Sequence, residues 1–143
     1  MNGPSADRGL LDTSTVILLG RLRTSDLPAE PSITAVTLAG LSVGALVATD
    51  SNERAARQAH LQQAEADFDP LPFDAEAARA FGRVAASLRG AGRKVQARAY
   101  DAMIAAIAIS NGLALYTVNP ADFEGIDGLD LRGISQPDLP RGR

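Results

Sequence analysis

The stretch GLLDTSTVILLGRL, residues 9–22, carries the grammar of the whole chain. A short apolar run ends in Asp12, a Thr-Ser-Thr cluster follows, and a second apolar segment begins. The first run is too short for a helix, and hydroxyl side chains are what an incoming helix needs to satisfy its free N–H groups. The segment therefore reads as strand, turn and helix, with Thr13 or Ser14 as N-cap. A strand apolar on both faces belongs in a parallel sheet covered by helices on both sides. Asp12 then stands at the carboxyl end of a strand, where open parallel sheets build their sites.

The same grammar recurs outward from there. LPAEPS (27–32) is a proline-bounded loop. In SITAVTLAGLSVGAL (32–46), ITAV reads as a short strand and residues 38–48 as a helix capped by Thr37. That cap makes Gly40 the third helical position, where a capping box places Glu or Gln. Glycine inside a helix costs about 1 kcal/mol, so the residue is out of place. SNERAARQAHLQQAEADF (51–68) is a helix capped by Ser51 or Asn52, and DPLPF (69–73) breaks it and offers a short strand. A further helix runs from an Asp74 cap to the glycine-rich stop at 90–92. VQARAYDAMIAAIAISNG (95–112) is an alanine-rich helix, LALYTVN (113–119) a buried strand, PADFEGI (120–126) a helical turn and LDLRGI (129–134) a last strand. Strands alternating with helices predict an α/β fold, helices on both faces of a short, mostly parallel sheet. The expectation is one domain over residues 1–143, its ordered core about 9–134 and its tail SQPDLPRGR (135–143) mobile.

Composition narrows the function. The chain has 143 residues, 45% hydrophobic and 22% charged, with no cysteine, which excludes disulfide scaffolds and thiolate metal sites. No apolar run reaches the length of a membrane span, so the expected address is cytoplasmic with no membrane partner. The net charge of −3 announces no global nucleic-acid field. Locally, however, residues 79–98 hold Arg79, Arg83, Arg89, Arg93, Lys94 and Arg98 with no acid among them. This is either a solvated helix face or a phosphate-contacting rim, and the second reading needs an active centre beside it.

Three aspartates offer that centre. Asp12 and Asp122 each follow a strand, and Asp101 interrupts a helix whose i+3 and i+4 neighbours, Ile104 and Ala105, are apolar. Asp101 is thereby aimed at the protein rather than at solvent. Each has a bland explanation: Asp12 as a helix cap, Asp122 in a turn opened by Asn119 and Pro120, Asp101 paired with Arg98. Converging at one sheet edge, the three would repel one another unless a cation sat between them. Carboxylates without sulfur or imidazole select hard cations, Mg²⁺ or Mn²⁺.

Four segments, LLDTSTVI (10–17), ITAVTLAGL (33–41), RAYDAMIAAIA (98–108) and LYTVNPADF (115–123), resemble in order and spacing a PIN-domain ribonuclease, and more narrowly a VapC-type toxin of a toxin–antitoxin module. The resemblance spans about residues 9–131. It implies a PIN-like three-layer α/β/α sandwich and Mg²⁺- or Mn²⁺-dependent hydrolysis of RNA phosphodiesters. It assigns Asp12, Asp101 and Asp122 as catalytic metal ligands, with Asp101 orienting the attacking water. Ser14, Thr117 and Asn119 become hydrogen-bonding support, and Arg93, Lys94 and Arg98 an RNA rim. It further implies a small cognate antitoxin and a homodimer. The family's fourth acid, a Glu in a TxxEL segment, falls at Gly40. Two origins stand open: a naturally weakened or non-catalytic relative, or a glutamate replaced to disarm a toxin. The alternative function is a non-catalytic PIN-fold module that binds RNA or an antitoxin.

Rival chemistries lack residues. His60 is the only histidine, on the polar helix segment RQAHLQQAE, with no nucleophile elbow and no zinc ligands to join it. In DTST, Ser14 stands where an Asp-nucleophile phosphatase needs its second Asp.

Overall fold

A computed structural model describes residues 8–137. Four strands, β1 (Arg8–Leu11), β2 (Glu30–Ser32), β3 (Ala114–Thr117) and β4 (Leu131–Gly133), form one sheet in the order β2-β1-β3-β4. All three pairings are parallel. Five helices accompany it: α1 (Thr13–Ile17), α2 (Ala35–Val47), α3 (Ser51–Asp67), α4 (Ala75–Gly90) and α5 (Ala99–Ser110). From β1 the chain moves outward to β2 and later returns to place β3 on the other side, so the order reverses between β1 and β3. That switch point is where a crevice opens above a parallel sheet.

The two central strands, β1 and β3, are buried on both faces, as their composition requires. Leu10 and Leu115 join Val36, Ile104, Ile107 and Phe123 in one apolar cluster, whereas Leu11 joins Val16, Ile33, Leu41 and Ala64 in another. Adjacent residues of one strand thus serve opposite layers. Helix α4 buries Ala77, Ala80, Val84 and Leu88, a stripe at helical spacing, against α5. Helix α5 buries Ala102 and the run Ile104–Ala108 because it lies between α4 and the sheet. Helices on both faces of the sheet make the expected three-layer sandwich.

Three helix starts lie earlier than the sequence reading, whereas α5, read from residue 95, begins later, at Ala99, after a separate tight turn over Gln96–Arg98. Helix α2 is capped by Thr34, whose side chain accepts from Thr37 N–H at 3.0 Å. The cause is a bridge between Thr34 and Leu71, in which Ala35 N–H donates to Leu71 C=O and Leu71 N–H to Ile33 C=O. This ends the extended segment early, moves the strand to Glu30–Ser32, and makes Gly40 the sixth helical residue rather than the third. Gly40 is therefore not at a capping-box position. Asp12, not Thr13 or Ser14, caps α1, and Asp50, not Ser51 or Asn52, caps α3. In both, a carboxylate one residue earlier takes the N–H that the hydroxyl or amide was expected to take. Asp74 caps α4 as read. Residues 138–143 of the expected mobile tail lie outside the described residues.

Candidate active site

Asp12 is only 2% exposed, a position where a charge survives only with full hydrogen bonding. It has that bonding. Oδ2 accepts from Ser14 Oγ at 3.0 Å and from Thr117 Oγ1 at 2.9 Å, and Oδ1 accepts from Thr15 N–H at 3.3 Å and from Thr15 Oγ1. The hydroxyl directions are fixed from behind. Val118 N–H donates to Thr15 Oγ1 and Asn119 N–H to Thr117 Oγ1, so each hydroxyl accepts from behind and turns its one proton to Asp12. β1 supplies the carboxylate and the end of β3 supplies donors to it, which ties the two strands together at the switch point. Of the hydrogen bonds that Asp12 accepts, only the one from Ser14 is not fully buried. Ser14 marks the side of the carboxylate nearest solvent.

Asp101 stands in the first turn of α5, half-buried. Its pKa is pushed from 3.8 up to about 6, first by burial, then by the negative charges of Asp122 and Asp12, against a smaller opposing pull from Arg98. The three sequence-predicted acids are thus within electrostatic reach of one another. Arg98 pairs with Asp122, not with Asp101 as the i−3 spacing suggested: its Nη1 donates to Asp122 Oδ1 at 3.3 Å and to the Asp122 carbonyl at 3.1 Å. The short turn Gln96–Arg98 ahead of α5 directs the guanidinium across to the Pro120–Phe123 turn. Arg93 grips the same turn through the carbonyls of Ala121 and Glu124. Among the described residues, no three His, Cys, Asp or Glu side chains are drawn together closely enough to form a finished metal cage.

Gly40 lies one helical turn beyond Thr37, whose hydroxyl meets that of Thr13 at 3.1 Å. Gly40 and Thr13 line one cleft of about 360 Å³ with Leu41, Gly44 and Arg57. The glycine is demanded neither by its backbone, which is not among the positive-φ positions, nor by crowding. A Cβ there would meet only the Tyr100 ring, at an ordinary 3.5 Å. Tyr100 precedes Asp101 and is 46% exposed. A side chain can therefore start at position 40 without crowding, beside the residue next to Asp12 and against the one next to Asp101.

Ser14, Thr117 and Asn119 all sit in the Asp12 network, with Asn119 Nδ2 donating to Ser14 Oγ at 3.1 Å. Of the expected basic rim, Arg93 and Arg98 are engaged with the Pro120–Phe123 turn, whereas Lys94 is exposed and lines a cleft of about 480 Å³ with Arg89 and Arg93. His60 is half-buried at the edge of the cleft beside Gly40. One residue of the network was not read from the sequence. Gln136 lies in the segment expected to be mobile, yet its Nε2 donates to Asn119 Oδ1 at 2.9 Å and to the Val118 carbonyl at 3.2 Å. The only local signal was the apolar Ile134 before it, which is buried and binds Thr117 C=O through its N–H.

Known proteins share this fold. The PIN-domain family model matches residues 10–129. The chain is 41% identical over 123 residues to Ribonuclease VapC5 of Mycobacterium tuberculosis, covering 84% of this chain and 88% of the relative. It is 29% identical over 133 residues to Ribonuclease VapC1 of Rickettsia felis, covering 90% and 98%. A crystal structure of VapBC-5 from M. tuberculosis, a member of the VapBC family of toxin-antitoxin systems, superposes with a TM-score of 0.76 at 36% identity, covering 90% of this chain and 99% of that one.

Proposed function

Because the chain belongs to the PIN-domain family, we propose that it is the toxin of a VapBC-type toxin–antitoxin module, a metal-dependent endoribonuclease whose activity is lowered by Gly40. The observation that carries the chemistry is the electrostatic state of Asp101. A half-buried carboxyl raised to about 6 by burial and two neighbouring carboxylates marks a place where negative charge exceeds what the protein compensates. A cation relieves that excess, and the all-oxygen donor set suits Mg²⁺ or Mn²⁺. Asp101, Asp122 and Asp12, on its Ser14 side, would hold it, with Ser14 and Asn119 bonding its water shell. Bound there, it supplies positive charge to the scissile phosphate and lowers the pKa of a water.

The protein's own groups do the rest. Asp12, fixed by its ring of donors, is a rigid anchor that needs no reorganisation when substrate arrives. Asp101 orients the attacking water. Arg98 holds the Asp122 turn in place. Lys94 and Arg89 offer exposed positive charge to the RNA backbone in the cleft they share. The absent side chain at position 40 removes one carboxylate from this edge. That same absence favours the second reading, a PIN fold that binds without cutting.

An antitoxin and a second copy of the chain are the proposed protein partners. The exposed Val43, Leu46 and Val47 of α2 offer an apolar face for one of them. No helix among the described residues is long and apolar enough to cross a membrane, and the proposed site of action is the cytoplasm. The test is cleavage of a mixed RNA pool in Mg²⁺ or Mn²⁺. Cleavage that EDTA stops and Asp12→Asn abolishes supports the reading. Cleavage indifferent to EDTA refutes its metal dependence.

A further inference from the structure

The hydrogen bonds around Asn119 run in one direction. Gln136 Nε2 donates to Asn119 Oδ1 at 2.9 Å, Asn119 Nδ2 donates to Ser14 Oγ at 3.1 Å, and Ser14 Oγ donates to Asp12 Oδ2 at 3.0 Å. Each donation decides the next. An Asn amide has two orientations related by a half-turn, and its neighbours choose between them. With Gln136 donating to its oxygen, Asn119 must present its NH₂ to Ser14. Ser14 then accepts from Asn119 and has its proton free for Asp12. With the amide reversed, Ser14 would face an acceptor on one side and Asp12 on the other. It would have one proton for two oxygens.

We infer that Gln136 is a positioning residue that sets the Asn119 amide and, through Ser14, the side of Asp12 nearest solvent. It is well placed for this. Both its N–H bonds are used, the second on the Val118 carbonyl at 3.2 Å, so the side chain is held at two points on the end of β3. Ile134, two residues earlier, is buried and anchors the segment through Thr117. Gln136 also lies beyond the residues that the family model matches, which end at 129. Ser14 stands on the side of Asp12 nearest solvent, so control of Ser14 is control of what Asp12 presents to an incoming group.

The test uses the full chain, metal-free and isotope-labelled, with three replacements at one exposed position. Gln136→Leu removes the donor. Gln136→Glu keeps the shape but offers only acceptors. Gln136→Lys keeps donors and loses the acceptor. The readouts are the side-chain NH₂ resonances of Asn119 and the carboxyl ¹³C resonance of Asp12. Leu and Glu are expected to shift both, and Lys to restore both toward the parent. Unchanged resonances in Leu and Glu overturn the inference, as does a shift at Asn119 that leaves Asp12 untouched. A Lys variant that behaves like Leu overturns it too.

The kinetic arm rests on the ribonuclease reading. There Leu and Glu are expected to lower kcat by up to about 10-fold with KM little changed, less than the roughly 10–100-fold of a group bonded directly to a metal ligand, because Gln136 acts through Asn119 and Ser14. No cleavage by any variant, with the resonance pattern as expected, refutes the ribonuclease reading and leaves the positioning role standing.

Discussion

Replacing Asp101 by Asn is expected to make the metal-free protein more stable while it destroys activity. The folded protein holds the Asp101 carboxyl at about 6, against 3.8 in the absence of its neighbours. Folding therefore strengthens proton binding, and ionising the group opposes the fold. The destabilisation is complete above about pH 7, shrinks as pH falls through 6, and vanishes below the unfolded value near 4. The displacement corresponds to about 3 kcal/mol at pH 7.5, and screening at a half-buried site brings the expectation to roughly 1.5–2 kcal/mol. The amide keeps the shape of the side chain and removes the charge. For a domain of this size the gain is about 4–8 °C in melting temperature. The assay is thermal unfolding of parent and variant in EDTA at pH 7.5 and pH 4.5, where linkage leaves about a third of the effect. Added Mg²⁺ is expected to raise the parent more than the variant and so to close the gap. A variant that melts at or below the parent at pH 7.5, or a gap equal at the two pH values, would refute the reasoning.

Asp12→Asn is expected to have the opposite sign, because it turns an amide donor toward hydroxyls already oriented to donate; about 2–3 kcal/mol should be lost in urea unfolding. Arg98→Ala removes the cation that holds down the Asp101 pKa, so a ¹³C titration of Asp101 should move above about 6. Joint Arg89→Ala and Lys94→Ala substitution should weaken single-stranded RNA binding uniformly across sequences. For every phosphate no longer neutralised, the log–log salt dependence should flatten by about 0.7. Thr117→Val leaves Asp12 Oδ2 one donor short and Asn119 N–H without its acceptor, which should lower stability by about 1–3 kcal/mol in the same unfolding assay.

The fold was legible because its signals are repeated and cooperative. Strands such as GLLD and LALYT are apolar on both faces, and only a parallel sheet between helices accommodates several of them. That Asp101 would lie near Asp12 and Asp122 was legible for a related reason, since each follows a strand or breaks an apolar helix face. Local competitions were less legible. Whether Asp12 or Ser14 takes the first N–H, or Thr34 or Thr37 opens α2, depends on which group a bridge to Leu71 or a neighbouring strand has already fixed. Gly40 shows the consequence. Its misfit as a third helical residue depended on a cap that belongs three residues earlier, yet the residue remains anomalous because neither backbone nor space requires glycine there. Arg98 could be matched to Asp101 by spacing alone, whereas its real partner is 24 residues away. Gln136 had no periodic or compositional signal. Its role arises from one side-chain amide meeting another across the end of β3.

The measurement that tests the central claim most directly is RNA cleavage by this protein and by its Gly40→Glu variant side by side, in Mg²⁺ or Mn²⁺, with an EDTA control. A Cβ at position 40 meets the Tyr100 ring only at ordinary contact distance, and helix propensity alone makes glutamate better than glycine by roughly 0.5–1 kcal/mol. The variant is expected to cut at least about 10-fold faster than the parent, with both activities lost in EDTA, since restoring a metal-site carboxylate should exceed the smallest effects seen one step behind such ligands. Equal rates for the two proteins would contradict the assignment of Gly40 as the lesion. No metal-dependent cleavage by either would remove the catalytic role given to Asp12, Asp101 and Asp122.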